Sequence, residues 1–275
     1  TQLEFDAAIG TGGSSGFGGG AGSTRLRSRH AVGHWDMTPN WTLSVGQWWF
    51  TAALLPIGVS TVDFAGSLLT YSRTPQVRLS YSDGPLSWAV AIENPTFETD
   101  TNMPNIAGYL QYDIAGGHQF IVTGEVADWD PAGNDELGWA IQAGANFNLA
   151  DVATLTAGVG YGEGLLTKKF VFEDGFSDTD AGGDPLEAIA FVVGLSFGLS
   201  ETTTFNAMFS YAEALEDQAD GDAKDKIYKV HANILWQPVK QMRMGWEVIW
   251  AQSEFEDGRP DEDGVRASFA TWFFF

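Results

Sequence analysis

Apolar and polar positions alternate with a period of two along nearly the whole chain, and the alternation breaks into fourteen runs. These are 1–9, 24–36, 40–50, 75–83, 86–94, 104–114, 117–128, 136–148, 151–162, 187–199, 202–214, 225–237, 240–252 and 263–275. In the eighth run, Trp139, Ile141, Ala143, Ala145 and Phe147 share one face, against Gly138, Ala140, Gln142, Gly144 and Asn146 on the other. One face is greasy and the other small or polar, which suits a wall between lipid and water. The connections also alternate. Those at 37–39, 84–85, 115–116, 149–150, 200–201 and 238–239 are two or three residues long, and the rest are long. The pattern predicts an all-β fold, a transmembrane antiparallel up-and-down β-barrel with tight turns at one end and long loops at the other.

The last run ends on consecutive aromatics, Phe273, Phe274 and Phe275. Val265, Ala267, Phe269 and Phe273 fall on one face, and Arg266 falls on the other. This end resembles the C-terminal strand of bacterial outer-membrane proteins, and the resemblance makes Phe275 the assembly signal. The longest apolar run, 188–199, is shorter than the roughly 20 residues of a membrane helix, so a spanning structure has to be a closed sheet. Residues 1–275 are therefore expected to form a single outer-membrane barrel domain.

Composition agrees with strands and turns: 33 Gly, 19 Phe, 11 Trp and no Cys. The missing cysteine excludes a disulfide scaffold and cysteine metal sites, and suits passage through an oxidising periplasm. The net charge of -22 argues against nucleic acid as a partner. Its placement is more informative. Five long segments, 95–104, 128–136, 163–187, 213–225 and 253–263, hold 25 of the 36 acidic residues and four bases, Lys168, Lys169, Lys224 and Arg259. That acidic outer rim reads as a solvated surface, as a cation-attracting mouth, or as a place where divalent ions bridge to lipopolysaccharide. No stretch has the spacing of a helix-loop-helix calcium site, so no metal and no cofactor is expected. Aromatics gather beside the short turns, with Trp35 and Trp41 at the first, Phe197 and Phe205 at another, and Trp236 at the same level, as in an interfacial girdle.

Two features bear on what passes through such a wall. In TRLRSRHAVGHW, Arg25, Arg27 and Arg29 recur at every second position and so project from one face. Turned to lipid they would each cost roughly 2–4 kcal/mol at the midplane, so they are expected to face water. The second feature is the connection 50–74, long and mostly apolar, which is expected to fold inward against the wall. Its one acid, Asp63, would then face the arginine ladder and Arg78.

Here the chain resembles a known family. LRSRHAVGHW, VGQWWFTAALLPIGVSTVDFAG and SRTPQVRLSY, in this order, are similar to the constriction-loop region of trimeric outer-membrane porins, and most of all to the DcaP-like porins. The match is dense over 24–81. The resemblance implies a homotrimeric, water-filled channel for passive diffusion of small hydrophilic solutes and ions in the outer membrane of a Gram-negative bacterium. It also implies a constriction formed by Asp63 with Arg25, Arg27, Arg29 and Arg78. Such porins have sixteen strands with the inward loop after the fifth, whereas here it follows the third run. Either two N-terminal strands lie outside this sequence or the barrel is a smaller one of fourteen.

Parity adds further interior candidates as possible pore lining: Glu93, Asp113, Glu125, Lys229, His231, Arg243, Glu247 and Arg266. His30 and His34 fall on the outward parity of their strand with Ser28 and Val32, which makes them trimer-interface candidates because the family packs its early strands together. Two other readings remain open. One is a structural or adhesive barrel that displays acidic loops. The other is an outer-membrane lipase built on Ser28 and His30, whose order in the chain is the reverse of that in such enzymes.

Overall fold

The computed structural model describes residues 1–9, 24–54, 59–62, 66–69, 72–95, 103–129, 136–150, 152–171 and 175–274, with the side chains of 5–9 and 24–27 outside that description. The described residues form fourteen strands: β1 (Gln2–Ile9), β2 (Thr24–Asp36), β3 (Trp41–Trp49), β4 (Arg73–Asp83), β5 (Leu86–Glu93), β6 (Asn105–Ile114), β7 (His118–Trp129), β8 (Glu136–Leu149), β9 (Ala153–Glu163), β10 (Glu187–Ser200), β11 (Thr203–Ala214), β12 (Lys224–Val239), β13 (Met242–Phe255) and β14 (Glu262–Phe273). They make one antiparallel sheet in strict chain order, β1 to β14. Every predicted run is a strand. The period-2 signal reads so cleanly because neighbours in sequence are also neighbours in the sheet, so no distant pairing shifts a register.

The polarity of the sheet is the reverse of a soluble core. Val77, Val90, Ile92, Ile106, Val122, Ile141, Val159, Val193, Val248 and Phe269 are all exposed, forming an apolar outer face. Ser44, Gln76, Arg78, Glu93, Thr123, Glu125, Gln142, Asn206, Lys229 and Glu247 are buried on the inner face. At the short-turn end Trp41 packs edge-on to Tyr81 and Trp88, with ring centres 5.0 and 5.3 Å apart, as an aromatic girdle would.

The described residues of the segment 50–72 between β3 and β4 lie against the inner face as far as β13. Phe50 N donates to Ser72 O, and Val62 N donates to the Glu247 carboxylate of β13. Ten residues from 62 to 72 reach at most about 36 Å fully extended. Nine flat strand spacings, from β4 to β13 in the sheet order, would need about 43 Å. Only a fully stretched chain helped by the Glu247 side chain could meet a flat sheet at both ends, and the contacts of Leu68 with β9, Val59 with β10 and Val62 with β13 show the sheet curled around the described residues of the segment. Among the described residues no pairing joins β14 to β1, so the curl leaves two edges.

A second segment, 164–186 between β9 and β10, begins inside as well. Its first residues wind into a single turn of π-helix, Leu166–Phe170, in which Leu166, Lys169 and Phe170 are buried. This corrects the sequence-based picture of 163–187 as wholly an outer loop. Asp184 is exposed and Asp178, Asp180 and Glu187 are half-buried, but GLLTKKFV ahead of them carries its apolar side chains into the curl, where Leu165, Leu166 and Phe170 join the core with Trp129, Phe50 and Leu68.

The early strands fix where the segment leaves the wall. Gly46 in β3 has φ +133°, and a Cβ there would point into the β2 backbone at the Ala31 carbonyl, 2.8 Å from the Val32 Cα. Only glycine lets the two strands approach so closely with that backbone conformation. Gly46→Ala should cost roughly 1–3 kcal/mol, read as a lower temperature at which the detergent-folded protein loses its compact, faster-migrating form on gels. An unchanged transition temperature would mean that this approach is relaxed in the membrane.

Candidate functional site

The inner face carries the chain's candidate chemistry, and its geometry is set by how an irregular segment finds partners for its backbone. Thr51 N donates to Glu93 Oε1 at 2.6 Å and Thr51 Oγ1 lies 3.2 Å from Gln76 Oε1. Gln142 Nε2 of β8 donates to Ala52 O at 3.1 Å, and Asn233 Nδ2 of β12 to Ser60 O at 2.9 Å. Val62 N meets Glu247 Oε2 at 3.0 Å, and the same oxygen accepts from Asn233 Nδ2 at 3.0 Å. Between these polar fixtures the segment lies flat on glycines. At Gly160 a Cβ would stand 2.7 Å from Leu68 Cδ2, and Leu54 and Val59 press on Gly158 and Gly194.

Glu93, Glu125, Lys229, His231 and Glu247 occupy the inner face, as their parity required, but each is at least nine-tenths buried. That corrects the picture of them as lining open water: all five are covered, and Glu93 and Glu247 take N–H groups of the crossing segment while Glu93 and Glu125 meet Lys169 of the second. The correction follows from the loop chemistry, because backbone N–H groups removed from water need acceptors and carboxylates are the strongest at hand. Asp113 does stay exposed, on the same face near a short turn, where it accepts from Gln119 Nε2 at 2.9 Å. Arg243 is half-buried with its guanidinium 4.7 Å from the Trp272 ring centre. Arg266 is exposed and pairs in register with Ile249, placing it on the inner side of β14, while Phe269 and Phe273 are exposed on the other.

A basic and aromatic cluster occupies β2, β3 and β4. Arg78 donates from Nε to Gln76 Oε1 at 2.8 Å and from Nη2 to the Trp49 carbonyl, with its guanidinium 4.4 Å from the Trp48 ring centre. Arg73 stacks on Trp49 at 3.7 Å and donates from Nε to His30 Nε2 at 3.2 Å. His30 Nδ1 in turn lies 2.8 Å from Glu4 Oε2, and Arg29 Nε contacts Glu4 Oε1.

This arrangement overturns the outward placement of His30 and His34. Glu4 pairs with His30 but Phe5 pairs with Ser28, so Arg29 is an extra residue in a bulge. A bulge turns two successive side chains to one side and reverses the parity beyond it. His30 is therefore buried among inner-face groups, and His34 lies on the inner side, 2.8 Å from Ser44 Oγ and edge-on to Trp48. The same bulge separates Ser28 from His30, which removes the shared face on which the lipase reading stood. Sequence parity missed it because it counts every residue as one step. Arg27 pairs with Asp6 and Arg25 with Ala8, while their side chains, like Asp63 and Phe275, lie outside the described residues.

Beyond the wall the loops are acidic and crowded. Asp222 in 215–223 has its carboxyl raised above the usual range by a hydrogen bond with Asp220 and by that group's charge. Glu216 is raised by burial and by neighbouring acids, Asp180, Glu187 and Glu163.

The Glu247 fixture is testable. Glu247→Ala leaves the Val62 N–H without its acceptor and should cost roughly 1–3 kcal/mol, seen as a lower urea midpoint together with new protease cleavage around 59–62. A variant as resistant as the parent at that site would remove Glu247 as the outer fixture of the segment.

Comparison with known proteins bears on this architecture. The model of the porin subfamily matches residues 67–270. Among solved structures, the outer-membrane channel DcaP of Acinetobacter baumannii is similar at 22% identity and a TM-score of 0.79, over 99% of this chain and 79% of its own. OmpT of Vibrio cholerae is similar at 12% identity and 0.63, over 90% of this chain and 82% of its own. A further porin structure follows at 12% identity and 0.58, over 92% and 94%. A sequence search of curated proteins returns no match. The structural likenesses agree with the fold, and the match over most of the chain's length supplies the family: this inside-out sheet belongs to the porin subfamily, in the outer membrane of a Gram-negative bacterium.

Proposed function

We propose that the chain forms a water-filled channel for passive diffusion of small hydrophilic solutes and ions, narrowed by the segment 50–72. The observation that carries this reading is the pair of fixtures at Glu93 and Glu247, which hold the segment across the inside of the curl rather than above it. A polar inner face within an apolar outer one supports a hydrated interior. Membership in the porin subfamily points the same way and away from an enzyme. DcaP itself is described as an outer-membrane channel.

In this reading Asp63 on the segment and Arg25, Arg27 and Arg29 on the wall form the constriction, while Arg78, expected to join them, is buried against Gln76 and the Trp49 carbonyl and stands behind it. A transverse field between an acid and several arginines orients dipolar solutes and disfavours apolar ones. The sheet closes into a barrel around it, because the unpaired edges of β1 and β14 could not stand in lipid. The assembly is a homotrimer; a solved structure of OmpT of Vibrio cholerae is described as a trimer form. Phe275 is its assembly signal, and the acidic loops meet lipopolysaccharide and the medium.

Purified protein in a planar bilayer should give large stepwise currents. A silent bilayer with folded protein would instead favour a structural or adhesive barrel. Within the channel, Asp63→Ala should shift the reversal potential measured in a salt gradient, whereas Arg259→Ala, in the outer connection 256–261 against the Asp222 carbonyl, should leave it unchanged. Equal shifts would place the constriction elsewhere.

A further inference from the structure

The beginning of the 164–186 segment is not merely near the crossing segment; it is fastened to it on every side. Leu68 N donates to Phe170 O at 2.7 Å, and Ser67 and Val171 form an isolated antiparallel bridge, so the returning limb has a backbone partner from the second segment. Phe170 packs edge-on to Phe50 at 5.6 Å, at the head of the outgoing limb. Lys169 ties both to the wall. Its Nζ lies 3.4 Å from Glu93 Oε2 and contacts Glu125 Oε1, with the ammonium 5.1 Å from the Phe50 ring centre. Glu93 uses its other oxygen for Thr51 N, and Glu125 Oε1 also accepts from Asn105 Nδ2 at 2.7 Å.

We infer that Lys169 is a positioning residue of the channel: it locks a second inward segment onto the crossing one, and the two together set the width of the passage. The inference rests on the channel reading above. Its physical basis is the charge balance of the site. Glu93 and Glu125 sit on β5 and β7 with their side chains fully buried, and both contact the Lys169 ammonium, whose side chain is 1% exposed. Two buried carboxylates without that cation repel each other in a medium of low dielectric. One of them then loses its hold on the segment through protonation or through water entry. The adjacent Lys168 offers a control, because it is half-exposed and pairs with Asp178 in the outer part of the same connection.

Lys169→Met keeps an unbranched apolar stem of four heavy atoms and removes the charged ammonium at its end. In planar bilayers it should raise single-channel conductance by on the order of two-fold and multiply the brief closures, while Lys169→Arg restores the parent level and Lys168→Met matches the parent. Parent-like conductance in Lys169→Met overturns the inference. If Lys169→Met does not fold, the pair Ser67→Cys with Val171→Cys decides the matter in an otherwise cysteine-free chain. Oxidation should cross-link the two segments in membrane-inserted protein with no loss of conductance, and failure to cross-link means they are not docked there. A parent protein that carries no current refutes the channel reading itself, whereas a conducting parent with an indifferent Lys169→Met refutes only the lock.

Discussion

An irregular segment inside a barrel brings unpaired N–H and C=O groups to a place with little water, and its path depends on finding partners for them. In this protein the wall supplies those partners at intervals. Carboxylates of β5 and β13 take the N–H groups of Thr51 and Val62, and amides of β8 and β12 reach the carbonyls of Ala52 and Ser60. Because each fixture sits on a different strand, the segment and the curl of the sheet determine each other. Unsatisfied, each such group would cost about 1–3 kcal/mol, enough for a few of them to decide where the segment lies.

The charges fall into three zones with different physics. On the outer rim, acids crowd one another, and the carboxyl of Asp222 is raised by its hydrogen bond with Asp220 and that group's charge, that of Glu216 by burial and then by neighbouring acids. Under the two inward segments, Glu93, Glu125 and Lys169 are out of water, and their positions matter because a partner lost there leaves a charge stranded. On β2 to β4, arginines and histidines are held by tryptophans and by Glu4, so that the guanidinium planes of Arg73 and Arg78 lie against indole rings.

Much of this was legible in the chain. Strand positions, the order of the sheet and the division into an apolar and a polar face follow from a period-2 pattern that no helix or crossover interrupts. The inward course of 50–72 is visible because a long apolar connection with a single acid, Asp63, has no reason to stay among acidic neighbours. The entry of GLLTKKFV carries a similar signal, an apolar stretch with two lysines ahead of most of the acids, but the charge of 163–187 as a whole averages it away. Burial of Glu93, Glu125 and Glu247 was not legible, since parity says which face a residue takes and not what lies on top of it.

Sequence by itself therefore determined the all-β, up-and-down architecture, the outer and inner faces of most strands, and the candidate arginines, because these depend on local alternation and on the cost of putting charge into lipid. Tertiary structure decided the rest. The bulge at Arg29, which turns His30 inward, appears only when β2 is laid against β1, because an extra residue is defined by its partner strand. The meeting of Lys169 with two carboxylates lying 76 and 44 residues upstream depends on the curl of the whole sheet, which no local pattern encodes.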